Sequence, residues 1–215
     1  IGKLGLNHRP ESTAKKQALA AVGQCELMFM YDKFFGEYNR TVAQILLTPD
    51  VIDNLVSRKN VENTFKELFD LDIIPIVNEN DTVAVDELEG KNFGDNDALS
   101  AIVATLINAE ALIILTDTNG LYTANPNEDP NAILIPVVDK ITADIESLAG
   151  GSASSQGTGG MITKLEAAKI ANSHGILCSI INGDNPENLY KIFNGINIGT
   201  LFNVCTATKE ETFND

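Results

Sequence analysis

Four short runs in this sequence carry more chemistry than folding alone needs. Asn78-Glu79-Asn80-Asp81 sets two carboxylates and two amides in a row just ahead of the apolar Val83-Ala84-Val85. A turn favours Asn and Asp but has no use for four such groups in succession, so this run is expected to bind a ligand. Gly94-Asp95-Asn96-Asp97 repeats that composition where a helical stretch begins at Ala98. Asp97 is well placed to cap the helix, which leaves Asp95 and Asn96 without a structural task. Combined in one pocket, the two clusters would suit an ammonium group, a metal ion, or both. They do not form a calcium loop, because the alternating ligands and the closing Glu are missing. Thr116-Asp117 is the third run, and the Asn119-Gly120 turn signal after it does not explain it. Asp117 is either a cap or turn residue, or the place where a nucleotide or its metal is held.

The fourth run is Gly157-Thr158-Gly159-Gly160-Met161-Ile162-Thr163-Lys164, leading straight into Leu165-Glu166-Ala167-Ala168. A glycine-rich loop feeding a helix presents unpaired backbone N–H groups and the positive end of the helix dipole, which together make an anion site. The dipole disfavours a basic residue in a first turn, so Lys164 is expected to meet a phosphate and not simply solvent. Neither G-x-x-x-x-G-K-[ST] nor G-x-G-x-x-G occurs.

These runs must be positioned by elements that the apolar pattern reveals. Val42 to Leu47, Ile73 to Val77, Ala111 to Leu115 and Ile176 to Ile181 are nearly continuous apolar runs, the pattern of buried parallel strands. Helical stretches alternate with them: Ser12 to about Tyr38, Val61 to Asp70, Ala98 to Asn108 and Lys164 to Ser173. Strand–helix alternation predicts an α/β fold with a parallel sheet covered by helices. Ligands of such sheets bind beyond the carboxyl ends of the strands, where the first three runs stand. Asn125 to Pro136 reads as an exposed connection, and the polar tail after Phe202 is expected to fray.

Composition narrows the function classes. A chain of 215 residues, 44% hydrophobic and 21% charged, buries a proper core without disulfides or metal staples. Its mean hydropathy is zero, and no run approaches the length of a membrane span. Thirty acidic against 15 basic side chains give a formal charge of -15, which repels a phosphate backbone and argues against nucleic acid as a partner. Cys25, Cys178 and Cys205 are too widely spaced for a zinc site and read as free thiols of a reducing compartment. His8 and His174 have no ligand-spaced partner and read as surface or helix-end residues. The chain starts at Ile1 without a signal-peptide pattern.

Taken together, the runs resemble the amino acid kinase family. The resemblance is carried by Ala43 to Thr48, Pro75 to Asp81, Phe93 to Asp97, Leu115-Thr116-Asp117 with Gly120 to Ala124, Gly157 to Lys164, and Gly199-Thr200-Leu201-Phe202, in the family's order. The Asn-Glu-Asn-Asp run with the later Gly-Asp-Asn-Asp is similar to the branch that acts on free glutamate. This implies a three-layer αβα sandwich with a mainly parallel open sheet. It also implies ATP- and Mg²⁺-dependent phosphorylation of the γ-carboxylate of L-glutamate, the first step of proline synthesis, in a cytoplasmic dimer or tetramer inhibited by proline. By the same resemblance, Asp81 and Asn96 contact glutamate, with Asn78 and Asp95 close by. Thr116, Asp117 and the loop Thr158, Gly159, Gly160, Met161, Ile162, Thr163 and Lys164 hold ATP. Lys164 stabilises the transferring phosphoryl group, and Asp97 orients the lysine charge. A carboxylate is already an ionised nucleophile near neutral pH, so no general base is required.

The chain departs from the family at its start, where Ile1 to Leu6 resembles sequence downstream of the first two strands and their glycine- and lysine-bearing turns. Residues 1–203 are therefore expected to form an incomplete amino acid kinase domain, with 204–215 as a polar tail. A chain lacking those strands is expected to show weak or no kinase activity and an exposed sheet edge. The competing readings are a kinase for acetylglutamate, aspartate or carbamate, and a catalytically silent module that binds an amino acid or nucleotide.

Overall fold

A computed structural model of the chain describes residues 12–83, 95–149 and 160–204. These fall into two compact units, Ile1–Gly94 and Asp95–Asp215.

The first unit begins with α1 (Thr13–Gly36), a long helix of good helix formers that buries none of its residues and leaves Phe29, Met30 and Phe34 exposed. After it come β1 (Val42–Leu47), the short α2 (Asp50–Asp53), α3 (Leu55–Asp70) and β2 (Ile74–Glu79). β1 and β2 pair in parallel, from Val42 opposite Ile74 to Leu47 opposite Glu79, with α3 as the crossover. Helix α3 starts six residues before the predicted Val61. Asn54 caps it, accepting from Val56 N at 2.9 Å and Ser57 N at 3.1 Å, while Leu55 and Val56 stay exposed and so break the apolar period. Phe65 is the residue that α3 buries.

β2 is also displaced from its predicted span. Ile73 N donates to Leu68 O and so closes the end of α3, and the pairing with β1 carries the strand on to Glu79. Asn78 and Glu79 are therefore strand residues, and only Asn80 and Asp81 follow the strand.

The second unit contains α4 (Asn96–Leu106), β3 (Ala111–Thr116), β4 (Val137–Val138), α5 (Ala143–Ala149), α6 (Met161–Ser173), β5 (Leu177–Asn182), α7 (Glu187–Phe193) and β6 (Thr200–Phe202). Its sheet runs β3-β5-β6-β4, with β3–β5 and β4–β6 parallel and β5–β6 antiparallel. The expected α/β architecture with mainly parallel pairing is thus what forms. Uniform burial of the four strands is not: Leu115 and Leu177 are exposed, and every residue of β2 is half-buried. β5, flanked on both sides, is the strand that buries Cys178, Ile180 and Ile181. The short β4 and β6 escape sequence reading because two and three residues hold no period.

The core of this unit joins Ala101 and Ala104 of α4 to Leu165, Ala167, Ala168 and Ala171 of α6, over Ile114, Cys178, Ile180 and Phe202. Small side chains let the two helices approach closely. Beside the carboxyl end of β5, Gly199 has a φ of +75°, and a Cβ there would lie 2.2 Å from Ile180 O. Thr200 beside it is fully buried, accepting from Leu121 N at 2.8 Å and donating to Ile135 O at 2.7 Å. The Gly199-to-Phe202 signature is therefore explained by packing. The loop through Asn125 to Pro136 forms turns in which Asn125 and Asp129 accept from the backbone N–H groups of Asn127 and Asn131. Among the described residues no helix is long and apolar enough to cross a membrane.

Candidate active site

Two short connections fix where α4 and α6 begin. α4 leads into β3, α6 leads into β5, and the two strands are parallel. Each helix runs back along the strand that follows it, so both start at the carboxyl end of the sheet, where α/β proteins bind ligands.

At the start of α4 the capping residue is Asp95, not Asp97. Asp95 has extended backbone, and its Oδ1 accepts from Asp97 N at 3.4 Å. The helix accordingly begins at Asn96, two residues before the predicted Ala98, and the side chain of Asp97 is released from capping. Asp97 Oδ2 lies 3.0 Å from Lys164 Nζ and 2.8 Å from Thr163 Oγ1, so consecutive residues of α6 converge on one carboxylate oxygen of α4. The side chains of Lys164 and Asp97 are only 11% and 14% exposed. The alternative of a solvated Lys164 is thereby excluded. The other oxygen of the cap, Asp95 Oδ2, is buried and has no hydrogen-bond partner among the described residues. Asn96 is exposed.

Helix α6 starts differently. Gly160 is its N-cap, no side chain among the described residues caps it, and its first turn holds no acidic residue. The N–H groups of Met161, Ile162 and Thr163 belong to the turn that an α-helix cannot satisfy internally. Thr158 and Gly159 lie outside the described residues.

Beyond the end of the neighbouring strand, Thr116 Oγ1 donates to Asp117 Oδ1 at 3.1 Å. Thr116 is itself the last residue of β3, in register with Asn182 of β5, whose Nδ2 donates to Asp117 O at 3.4 Å. Asn182 carried no signal in the sequence beyond its position at a strand end. Cys178 is fully buried, and that burial, with the Asp97 carboxylate as a smaller contribution, pushes its thiol up to about 12. Cys25 is exposed, and both are free thiols, while Cys205 lies outside the described residues. His174 ends α6, with Nδ1 2.9 Å from Ile170 O, as a helix-end histidine should; His8 lies outside the described residues. Among the described residues no three His, Cys, Asp or Glu side chains gather to hold a metal ion.

The other predicted cluster belongs to the first unit. Asn78 Oδ1 accepts from Glu79 N at 2.9 Å, and its Nδ2 donates to Gln24 Oε1 of α1 at 3.2 Å. Asn80 shapes the following turn, donating to Leu47 O through its backbone and accepting from Thr82. Turn and strand thus account for part of this run, and Asp81 is left exposed at the tip. Gln24 lies 54 residues away on a helix, and no local pattern could have linked it to Asn78.

A sequence model of the amino acid kinase family matches residues 2–182. The chain belongs to the amino acid kinase family. Among curated members, it is 54% identical over 203 residues to a glutamate 5-kinase of Clostridium perfringens, spanning 94% of this chain and 76% of that protein. It is 52% identical over 212 residues to a glutamate 5-kinase of Listeria monocytogenes, spanning 98% and 75% of the two chains. Solved structures agree on the fold. An isopentenyl phosphate kinase of T. acidophilum superposes with a TM-score of 0.60 at 17% identity, spanning 94% of this chain and 76% of that one. A UMP kinase from Bacillus anthracis superposes with a TM-score of 0.57 at 16% identity, spanning 96% and 73%. At such identities these show the amino acid kinase fold alone.

Proposed function

We propose that this protein is an ATP-dependent kinase for the γ-carboxylate of L-glutamate, releasing glutamyl 5-phosphate and ADP. The observation that carries the reading is the identity of about half of all residues to glutamate 5-kinases across nearly the whole chain.

The geometry is suited to this chemistry. An oxygen of the γ-carboxylate attacks the γ-phosphorus of ATP, a P–O bond forms, and the bond to the β–γ bridging oxygen breaks. No proton has to be removed from the nucleophile, so the protein's task is positioning and charge neutralisation. Lys164, held by Asp97, supplies a fixed positive charge for the transferring group. The open first turn of α6, from Gly160 through Met161, Ile162 and Thr163, offers N–H groups to the phosphates, continuing Thr158 and Gly159 of the loop. Asp81, Asn78, Asp95 and Asn96 contact glutamate. Asp95 Oδ2, buried without a partner among the described residues, is an acceptor fit for the substrate's α-ammonium.

Mg²⁺, when bound, neutralises charge on the phosphates, taking one or two carboxylates beside the nucleotide's own oxygens. The hard oxygen donors Thr116 and Asp117, side by side at the end of β3, fit that requirement and would hold the ion or the nucleotide. The reading puts the protein in the cytoplasm as a dimer or tetramer, with proline as its feedback inhibitor.

The test uses protein expressed from its complete reading frame with ATP, Mg²⁺, glutamate and hydroxylamine, which traps the acyl phosphate as a hydroxamate. Glutamate-dependent hydroxamate is expected, together with its loss in Lys164→Ala. Product only with acetylglutamate or aspartate, or none at all, refutes the assignment.

A further inference from the structure

We propose that the hydroxyl of Thr163 is a positioning group: it holds the Asp97 carboxylate, and through it the Lys164 ammonium, in place for phosphoryl transfer, and does not itself contact the nucleotide. The catalytic half of this rests on the kinase reading above; the structural half does not.

Thr163 Oγ1 lies 2.8 Å from Asp97 Oδ2 and 2.8 Å from Gly160 O. A hydroxyl has one proton and can donate to only one of them. The bond to the carboxylate is charge-assisted and is the stronger choice. Lys164 Nζ reaches the same Oδ2 at 3.0 Å. A single donor would set a distance and leave the carboxylate free to turn about its Cβ–Cγ bond, whereas two donors from adjacent positions fix its plane.

The two donors are not equivalent. Lysine reaches Asp97 over a flexible four-carbon stem, while threonine is β-branched and stiff at χ1. Thr163 is therefore the better orienting partner, and Lys164 is placed against a carboxylate already fixed. Transfer by preorganised charge is sensitive to such placement, since displacements of about 1 Å cost on the order of 10²-fold in rate. With its side chain turned to Asp97, Thr163 has its backbone N–H left for anions.

Thr163→Val keeps the shape and removes the proton; Thr163→Ser keeps the proton and removes the methyl. In the hydroxamate assay, Thr163→Val is expected to lower kcat about tenfold with KM for ATP changed less than about twofold, and Thr163→Ser to keep most of the activity. A tenfold rise in KM for ATP at unchanged kcat would mean that the hydroxyl binds nucleotide, and overturns the proposal. So do wild-type kinetics in Thr163→Val, or equal damage from Thr163→Ser. Urea midpoints for Thr163→Val, Asp97→Ala and the double variant test the contact without activity. Once Asp97 is gone, removing the hydroxyl is expected to have little further effect, and fully additive losses overturn the contact. A wild-type protein that forms no hydroxamate overturns the kinase reading and the role in transfer, whatever the urea series shows.

Discussion

Replacing Asp97 by Asn keeps the size and one acceptor oxygen of the side chain and removes its charge. Two unit charges 3.0 Å apart attract by ~5.5 kcal/mol at an effective dielectric near 20, before desolvation is subtracted. Removing one member of a buried pair typically costs about 3–5 kcal/mol, because the remaining charge is stranded. Here the remaining charged group is Lys164, whose side chain is only 11% exposed. The residual exposure and the surviving acceptor for Thr163 set the expected loss at the lower end, ~3 kcal/mol. In a chain of this size each kcal/mol lowers Tm by about 2–4 °C, so thermal unfolding followed by circular dichroism is expected to shift down by ~6–12 °C. Adding Lys164→Met to Asp97→Asn removes the remaining buried charge, and the double variant is expected to unfold at a higher temperature than Asp97→Asn alone. A shift below ~2 °C, or a double variant less stable than both single ones, would show that the pair behaves like an exposed one and would refute the argument.

Other outcomes follow from the core and the turns. The thiol of Cys178 is raised from an ordinary 9.0 to about 12 by burial first and the Asp97 charge second. Its protonated form is favoured in the folded state, so that stability is whole below pH 9 and falls as pH climbs toward 12. By pH 10 the loss is ~1.4 kcal/mol, and it should vanish from the pH dependence of urea unfolding in Cys178→Ala. At pH 8, iodoacetamide followed by peptide mapping should label the exposed Cys25 in native protein and Cys178 only after denaturation. Gly199→Ala puts a Cβ 2.2 Å from Ile180 O at a φ of +75°, and a loss of at least ~3 kcal/mol, read as a lower urea midpoint or as insoluble protein, is expected. Gly23→Ala, in the middle of α1 with nothing within 4 Å, should instead stabilise the fold by ~0.5–1 kcal/mol, read as a higher urea midpoint.

The sequence revealed elements wherever apolar pattern and length coincide. β1 forms over its predicted span, and β3, β5 and α6 shift by only a few residues at their ends. It failed where partners outside the local window decide. The start of α3 is set by the Asn54 cap and not by apolar period, and the end of β2 is set by pairing with β1. In the candidate site, the residue types at the strand ends and helix starts were legible, but their division of labour was not. Either Asp95 or Asp97 could cap α4 by type, and backbone geometry gives the task to Asp95. The shared core of α4 and α6, with the small Ala101, Ala104, Ala167 and Ala168, then brings Asp97 to Lys164. The contact of Gln24 with Asn78 joins residues 54 apart, which no single-sequence pattern encodes.

That division of labour bears on how a chain with a formal charge of -15 can serve two anionic substrates. Physiological salt screens charges beyond about 8 Å, so the surface excess matters less than the groups at the site. There, Asp97 balances Lys164 in the sum over the site while holding its ammonium in a fixed place. α4 and α6 start at the same end of the sheet with similar dipoles but different furnishing. The start of α4 carries Asp95, whose carboxylate repels phosphate and suits an ammonium group, beside Asp97, which is paired with Lys164. The start of α6 has glycine at the cap and no acid in its first turn. Its N–H groups are directional donors that no carboxylate among the described residues caps, so they favour phosphate without adding to net charge. On the proposed reading, selectivity for an amino acid beside a nucleotide comes from this contrast between two neighbouring helix starts. The overall charge can then remain strongly negative.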